Sequence, residues 1–63
     1  MRLEVEIYKE KFHDYRWRGF LITGINQIDV KSDSRFYWTH RKHVKEYLEY
    51  MCNTLDWRLE IIG

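Results

Sequence analysis

The first half of the chain alternates apolar and polar residues in short runs. Leu3, Val5 and Ile7 are separated by glutamates, as expected for a strand that buries one face. Two further runs of this kind follow, and the first of them is rich in aromatic and branched residues. Polar and glycine-containing segments between the runs predict turns. We therefore predict strands at residues 3–8, 15–22 and 27–31, joined by turns at 9–14 and 23–26.

The period of the pattern changes in the second half of the chain. Apolar side chains then recur at the three- and four-residue spacing that places them on one face of a helix. Thr39 is the predicted N-cap, because its hydroxyl can accept a hydrogen bond from a free amide of the first turn. The helix is predicted from Thr39 to Thr54, and alternation over residues 55–61 predicts a fourth strand. The apolar stripe, which His40 precedes by one turn, consists of Val44, Tyr47, Leu48, Met51, Cys52 and Leu55.

The predicted element order is β-β-β-α-β in a single domain of 63 residues. One helix can cover one face of one sheet, so the fold class is α+β with two layers, an antiparallel sheet of three to four strands packed on the helix. The fourth strand can pair beside the first or exchange into a second chain, and the sequence leaves both arrangements open. The residues predicted to face the core, besides the helix stripe, are Leu3, Val5, Ile7, Trp17, Leu21, Ile28, Val30, Trp57, Leu59 and Ile61.

Composition narrows the class of protein. Aromatic residues make up 17% of the chain, which is enough for a core, so disorder is not expected. The single cysteine, Cys52, falls on the helix stripe and is predicted to be a buried apolar residue. No apolar run approaches the roughly 20 residues of a transmembrane helix, and charged residues interrupt the start of the chain where a signal peptide would be apolar. These features predict a cytoplasmic protein with no membrane partner.

Three short motifs carry a resemblance to a known family. Residues 5–10 are Val-Glu-Ile-Tyr-Lys-Glu, residues 15–18 are Tyr-Arg-Trp-Arg, and residues 36–40 are Phe-Tyr-Trp-Thr-His. In these motifs the chain resembles the YegP-like family of small domains, which implies a three-stranded meander packed on one helix and no established activity. The chain departs from the family pattern at the turn 23–26 and in its bulky, charged helix. In size and composition it is also similar to small phage-encoded proteins that bind a host or defence protein.

Cationic groups gather at the predicted helix start. Residues 35–45 carry four basic and no acidic side chains, although the net charge of the whole chain is only +1. A helix N-terminus normally attracts acidic residues, so Arg41 and Lys42, between His40 and His43, oppose the helix dipole. With the free amides they predict a surface for a nucleic-acid phosphate or a partner's carboxylate, the alternative being an ordinary solvated face. On the exposed side of the helix, the predicted ion pairs are Lys42–Glu46 and Lys45–Glu49.

The sheet face turned away from the helix is a second candidate surface. Trp17 is predicted to point inward, and alternation then turns Arg16, Arg18 and Phe20 outward. Gly19 between them predicts either a bulge, which would shift this register, or a close approach of two backbones. Aromatic and arginine side chains on an uncovered face are the anchors that protein interfaces use, although single exposed apolar residues also occur without a function.

A third candidate is the aromatic segment before the helix. Phe36, Tyr37 and Trp38 are adjacent, so they cannot all face the core. Packing against the first helical turn is predicted for Phe36 or Trp38. The others would be exposed beside the cations, where they suit base stacking on a single strand or a protein hot spot.

The sequence contains no catalytic signature. It lacks a Ser-His-Asp order, a paired-carboxylate motif and a phosphate loop, and His40 with His43 supplies fewer than the three ligands that a metal needs. We therefore predict no enzyme activity, cofactor, metal or small-molecule substrate. The leading hypothesis is a protein-interaction module, either self-associating or an inhibitor-type binder. The alternatives are a nucleic-acid-binding domain that uses the helix start with Arg16 and Arg18, and a structural subunit of a larger assembly. The predicted partner contacts are Arg16, Arg18, Phe20, Tyr37, Trp38, Arg41 and Lys42.

Overall fold

A computed structural model describes residues 1–11 and 14–63 of the chain. Four strands and one helix follow one another in the predicted order β-β-β-α-β, which confirms the α+β fold with a sheet packed on a helix. The centre of the predicted turn at 9–14 lies outside the described residues. Across this turn, the amide of Glu10 donates a hydrogen bond to the carbonyl oxygen of Asp14 over 2.7 Å. The elements are β1 (Arg2–Lys9), β2 (Tyr15–Thr23), β3 (Asn26–Lys31), α1 (Arg41–Leu55) and β4 (Arg58–Ile61).

The four strands form one sheet in the order β3-β2-β1-β4. The first three strands are an antiparallel meander as predicted, whereas β4 runs parallel to β1, so the four-stranded sheet is mixed and not antiparallel throughout. Parallel neighbours cannot be joined by a tight turn and need a crossover. Here β2, β3 and α1 supply that connection, which places β4 beside β1 of the same chain. This pairing is the first of the two arrangements that the sequence left open.

The core lies between α1 and the sheet face that carries the odd-numbered residues of β1 and β2. Leu3, Val5, Val44 and Leu48 are at most 1% exposed. The helix packs on β4, β1 and β2, and none of its Cα atoms lies within 8 Å of a Cα of β3. Most of the predicted core is therefore confirmed, with Ile7, Trp17 and Cys52 also buried and with Leu21, Val30, Met51, Trp57, Leu59 and Ile61 packed around it.

Three residues predicted to face the core are instead about half exposed. Ile28 is 50% exposed because it lies on β3, beyond the reach of the helix. Tyr47 and Leu55 are 43% and 48% exposed, so they lie at the margins of the helix stripe and not at its centre. Alternation and helical spacing thus predict correctly which face of each strand and helix turns toward the core. They carry no information on how much of the sheet the helix covers.

Gly19 marks a close approach of two backbones and not a bulge. The pairing of β1 with β2 continues without interruption from Arg2–Ile22 to Lys9–Tyr15, with Gly19 opposite Val5. A Cβ on Gly19 would overlap the carbonyl oxygen of Glu4 and would lie 2.7 Å from the Cα of Val5. Because glycine alone has no Cβ, it permits this contact, and the predicted register of the outward side chains on β2 is preserved.

The turn between β2 and β3 has two residues, Gly24 and Ile25. Gly24 has φ of 58°, a conformation that glycine adopts without a steric penalty. A positive φ at the first central position is typical of a type II′ hairpin, whose twist matches that of the flanking strands. Asn26 is the first residue of β3 and does not have a positive φ.

The helix begins two residues later than predicted. His40 is the N-cap residue in an extended conformation, and its side chain makes no capping hydrogen bond, so the prediction of Thr39 as the N-cap was wrong. The first turn contains no acidic residue and holds Arg41 and Lys42, so the predicted opposition to the helix dipole is present. Within the described part of the chain, the ion pairs predicted for Lys42–Glu46 and Lys45–Glu49 are not formed.

The helix ends in a Schellman motif. Asp56 adopts the left-handed conformation, and its amide donates to the carbonyl oxygen of Asn53 over 3.3 Å. The amide of Trp57 donates to the carbonyl oxygen of Cys52 over 2.8 Å. Leu55 is therefore the last helical residue and not the first residue of the fourth strand as predicted. The motif reverses the chain within two residues, so β4 begins at Arg58.

Candidate functional site

The sheet face opposite the helix carries a shallow depression of about 610 Å³. The even-numbered residues of β1 and β2 point to this side, because the odd-numbered ones are packed on the helix. We call this surface the outer face. Since the chain has one helix, no other element of the described structure covers it. The residues that line the depression are Glu6, Arg18, Gly19, Phe20, Asp29, Val30, Lys31 and Ile62.

Arg18 is held in a fixed position on the outer face. Its Nε donates to Oε1 of Glu6 over 2.6 Å, and its guanidinium carbon lies 4.3 Å from the ring centre of Tyr8. The hydrogen bond with Glu6 and the negative charge of that carboxylate raise the pKa of Arg18, so the guanidinium stays charged. The side chain is nevertheless 59% exposed. An exposed guanidinium that is already oriented loses less side-chain entropy when it binds a partner.

Apolar side chains lie beside this arginine. Phe20 is 36% exposed and Ile62 is 66% exposed, and both line the depression. Phe20 stands between Glu4 on β1 and Asp29 on β3 in the register of the sheet. The outer face therefore has apolar groups at its centre with charged groups of both signs around them, which is the layout of a protein interface.

Arg16 lies on the same face but contacts the chain itself. Its Nη1 donates to the carbonyl oxygens of Phe36 and Ser34 over 2.7 Å and 3.1 Å, with Asp33 at 3.5 Å. This guanidinium holds the segment after β3 against the end of β2. In the same segment Asp33 accepts hydrogen bonds from the backbone and side chain of Arg35, which lower the pKa of Asp33.

Arg41 has a similar structural contact at the start of the helix. It donates to the carbonyl oxygens of Ile7 and Gly63, each over 3.2 Å. Next to it is a groove of about 470 Å³, lined by the apolar residues Ile7 and Ile61 and by the cationic side chains of Arg41, Lys42 and Lys45. The helix start is thus a cationic surface on the helix side of the sheet and is not continuous with the depression of the outer face.

The aromatic segment before the helix divides as predicted between packing and exposure. Trp38 is partly buried: its ring centre lies 5.2 Å from that of Tyr47, and its backbone pairs with Tyr15. Phe36 and Tyr37 are 61% and 60% exposed. Trp38 is therefore the member of the segment with the predicted packing role, while Tyr37 is open to a partner.

The seven predicted contact residues do not form one surface. Arg18 and Phe20 share the depression, Arg16 lies at the end of the same face, and the others are placed in the loop before the helix or at the helix start. The seven predicted contacts do not include Tyr8, Ile62 or Lys45. Alternation along β1 and β4 already places Tyr8 and Ile62 on the outer face, and Lys45 could have been found by its four-residue spacing from Arg41.

His40 and His43 are neighbours, with ring centres 5.3 Å apart and nearly perpendicular planes. Within residues 1–11 and 14–63, no group of three histidine, cysteine or carboxylate side chains is placed to hold a metal ion. His13 lies outside this part of the chain. Cys52 is 2% exposed in the core, and its burial raises the pKa of the thiol.

Comparison of the chain with models of protein families, with curated proteins and with solved structures found no match. The resemblance to the YegP-like family therefore stays a prediction. In the described residues, no helix combines the length and the apolar character needed to cross a membrane.

Proposed function

We propose that this protein is a non-enzymatic protein-interaction module that binds its partner on the outer face. The observation that supports the proposal is the oriented, exposed guanidinium of Arg18 beside the exposed side chains of Phe20 and Ile62. Arginine and aromatic residues are over-represented among the residues that dominate binding energy at protein interfaces. The depression gives a partner side chain a place to insert between them.

The proposal extends to the way such a module acts. The domain leaves one sheet face uncovered and offers it to a partner, so in this proposal it acts by occluding or bridging that partner. In this proposal the protein is an inhibitor or adaptor of the kind that phages encode, directed at a host or defence protein in the cytoplasm. A single, buried thiol is compatible with that reducing compartment.

The contact residues predicted from the sequence take different parts in this proposal. Arg18 and Phe20 touch the partner at the centre of the site. Tyr37 and Lys42 are exposed, but they lie in the loop before the helix and at the helix start, outside the depression, so only a partner that extends beyond the outer face contacts them. The remaining residues, Arg16, Trp38 and Arg41, act by holding the loop and the helix start in place, because their side chains already contact the protein itself.

Site-specific photo-crosslinking tests the proposal. Phe20 is replaced by benzoylphenylalanine in the cells that produce the protein, and Tyr50, which is 74% exposed on the helix, is replaced in the same way as a control. We expect one protein adduct from position 20 and none from position 50. With the captured partner purified, Arg18→Ala and Phe20→Ala should each weaken binding by about tenfold or more, with Tyr50→Ala unchanged. Equal affinity of all three variants would contradict the proposal.

A second candidate function is nucleic-acid binding at the helix start, which is one part of the surface in the sequence alternative; Arg16 and Arg18, its other part, lie on the outer face. The observation that favours it is the groove lined by the cationic side chains of Arg41, Lys42 and Lys45. Phosphate contacts release counter-ions, so the affinity for duplex DNA would fall with salt at a slope of about −0.9 per contact. An interface centred on Phe20 would respond much less to salt. Titration of an oligonucleotide at two salt concentrations, with Lys42→Ala/Lys45→Ala as the variant, separates the two candidates.

A further inference from the structure

The β3 strand presents an open edge. In the sheet order it has only β2 as a neighbour, and it contacts no other helix or strand of the described structure. The amide of Ser32 donates to the carbonyl of Trp17 over 2.9 Å, so even-numbered residues turn their backbone groups toward β2. By alternation, Gln27, Asp29 and Lys31 turn their N–H and C=O groups away from the sheet. Such a row of unpaired groups is a template for another strand.

The β3 edge carries one acidic and one basic side chain, and neither forms a salt bridge within the described residues. Asp29 and Lys31 point to the outer face, opposite Phe20 and Arg18 of β2. Arg18 repels Lys31 and has Glu6 as its own partner. Among residues 1–11 and 14–63, no salt bridge includes Asp29 or Lys31. Edge charges usually prevent strand pairing, but a charge pair two residues apart can be matched by an identical strand that runs in the opposite direction.

Symmetry limits how two β3 strands can pair. A two-fold axis perpendicular to the sheet keeps both outer faces on one side, so residues opposite each other must share a face. The pairing can therefore be centred on Ile28, Asp29 or Val30. Centring on Asp29 places two carboxylates opposite each other, and centring on Ile28 leaves both charges unmatched. Centring on Val30 places each Asp29 opposite Lys31 of the second copy, which favours pairing.

We propose that a second copy of this chain pairs antiparallel with the β3 edge, centred on Val30, and joins the two sheets into one of eight strands. Each side of the two-fold axis then has one Asp29–Lys31 ion pair. The same two residues exchange two backbone hydrogen bonds, so the two strands are joined by two ion pairs and four backbone hydrogen bonds in total. The dimer stands independently of the proposed partner site, because it uses the edge of β3 and not the centre of the outer face. It also makes the two outer faces continuous, which doubles the surface offered to a partner.

Charge exchange tests the pairing. Light scattering from micromolar to millimolar concentration should show a dimer of the wild type that weakens with salt. Asp29→Lys and Lys31→Asp should each be monomeric. The double variant Asp29→Lys/Lys31→Asp, and an equimolar mixture of the two single variants, should recover the dimer, because both place opposite charges across the axis. A wild type that stays monomeric, or single variants that still form the dimer, would overturn the proposal.

Amide hydrogen exchange gives a second measurement that needs no variant. In the wild type, the amides of Asp29 and Lys31 should become protected as concentration rises, while that of Gln27 stays fast. Protection of all three amides would mean a pairing centred on Asp29, and protection of Gln27 with Asp29 a pairing centred on Ile28. Either pattern overturns the proposed register. Phe20→Ala should leave the dimer intact, so failure of the partner site and failure of the edge pairing are distinguishable.

Discussion

The strands β1 and β3 have the same alternating pattern and opposite environments. In β1, Leu3, Val5 and Ile7 are at most 6% exposed, whereas in β3 Ile28 is 50% exposed and only Val30 is packed on the core. The difference arises because α1 lies over β1 and its two neighbours and does not reach β3. Alternation therefore identifies the side of a strand that turns toward the helix, and the position of the strand in the sheet decides whether that side is covered.

The two strands therefore differ in what they contribute: β1 to the stability of the fold, and β3 to the proposed contacts with other molecules. The strand β1 stabilises the fold, since its apolar side chains lose nearly all contact with water. The edge strand and the outer face keep apolar and charged groups exposed, which is where the proposed partner site and the proposed edge pairing lie. Four predictions test this comparison.

The largest effect is expected at the contact of β1 with β2. Gly19→Ala places a methyl group against the carbonyl oxygen of Glu4, and neither backbone can move without separating the two strands. We expect a loss of about 3 kcal/mol or more, comparable to the whole stability of a small domain. Circular dichroism during thermal unfolding measures it.

Gly24→Ala is the matched control for this glycine. No atom lies within 4 Å of a Cβ at Gly24, so the cost there comes only from its φ of 58° and should be about 1–2 kcal/mol. A thermal midpoint of Gly19→Ala equal to that of Gly24→Ala would show that the two strands can separate without loss of the fold.

A direct comparison of the two strands comes next. Leu3→Ala should cost about 2–5 kcal/mol, because Leu3 is 1% exposed and its removal leaves a cavity. Ile28→Ala should cost less than about 1 kcal/mol, because half of its side chain is already in water. Urea unfolding at low micromolar concentration, where the proposed dimer does not contribute, gives both values. Similar losses would mean that β3 is as well covered as β1.

The smallest effect concerns pH and the thiol of Cys52. Burial raises the pKa of this thiol in the folded state, so the folded protein keeps a proton that the unfolded chain loses near pH 8.5. The free energy of unfolding should be unaffected by this group below that pH. It should fall as the pH rises toward the folded pKa, by at most about 1.4 kcal/mol per pH unit. Urea midpoints of the wild type and Cys52→Ala between pH 7 and pH 10 isolate the effect.

Thiol labelling at neutral pH compares a cysteine in the core beneath the helix with a cysteine on the exposed strand β3. Cys52 should react slowly, at a rate limited by opening of the core. A cysteine variant, Ile28→Cys in the Cys52→Ala background, should react at the rate of a free thiol. Rapid labelling of Cys52 would contradict its burial beneath the helix.

The candidate site was only partly accessible to sequence reasoning. Alternation was sufficient to place Arg18 and Phe20 together on the outer face, and the register of β1 with β2 bears this out. It could not show that Arg16 and Arg41 donate to backbone carbonyl oxygens, because their acceptors lie seventeen or more positions away in sequence. The wrong N-cap at Thr39 has a similar cause. The backbone pairing of Trp38 with Tyr15 fixes the chain just before the helix, and a local capping preference does not include that constraint.

The sequence by itself determined the number, order and types of the elements and the side of each strand that turns inward. These features follow from local periodicity and from the solvation of polar side chains, which depend on neighbouring residues. Only the tertiary structure decided that β4 pairs parallel with β1 and that β3 lies at an edge of the sheet. It alone also decided that Ile28 is exposed and that a charge pair faces outward. The physical reason is coverage: one helix of 15 residues shields the strands beneath it, and which strands those are depends on sheet order.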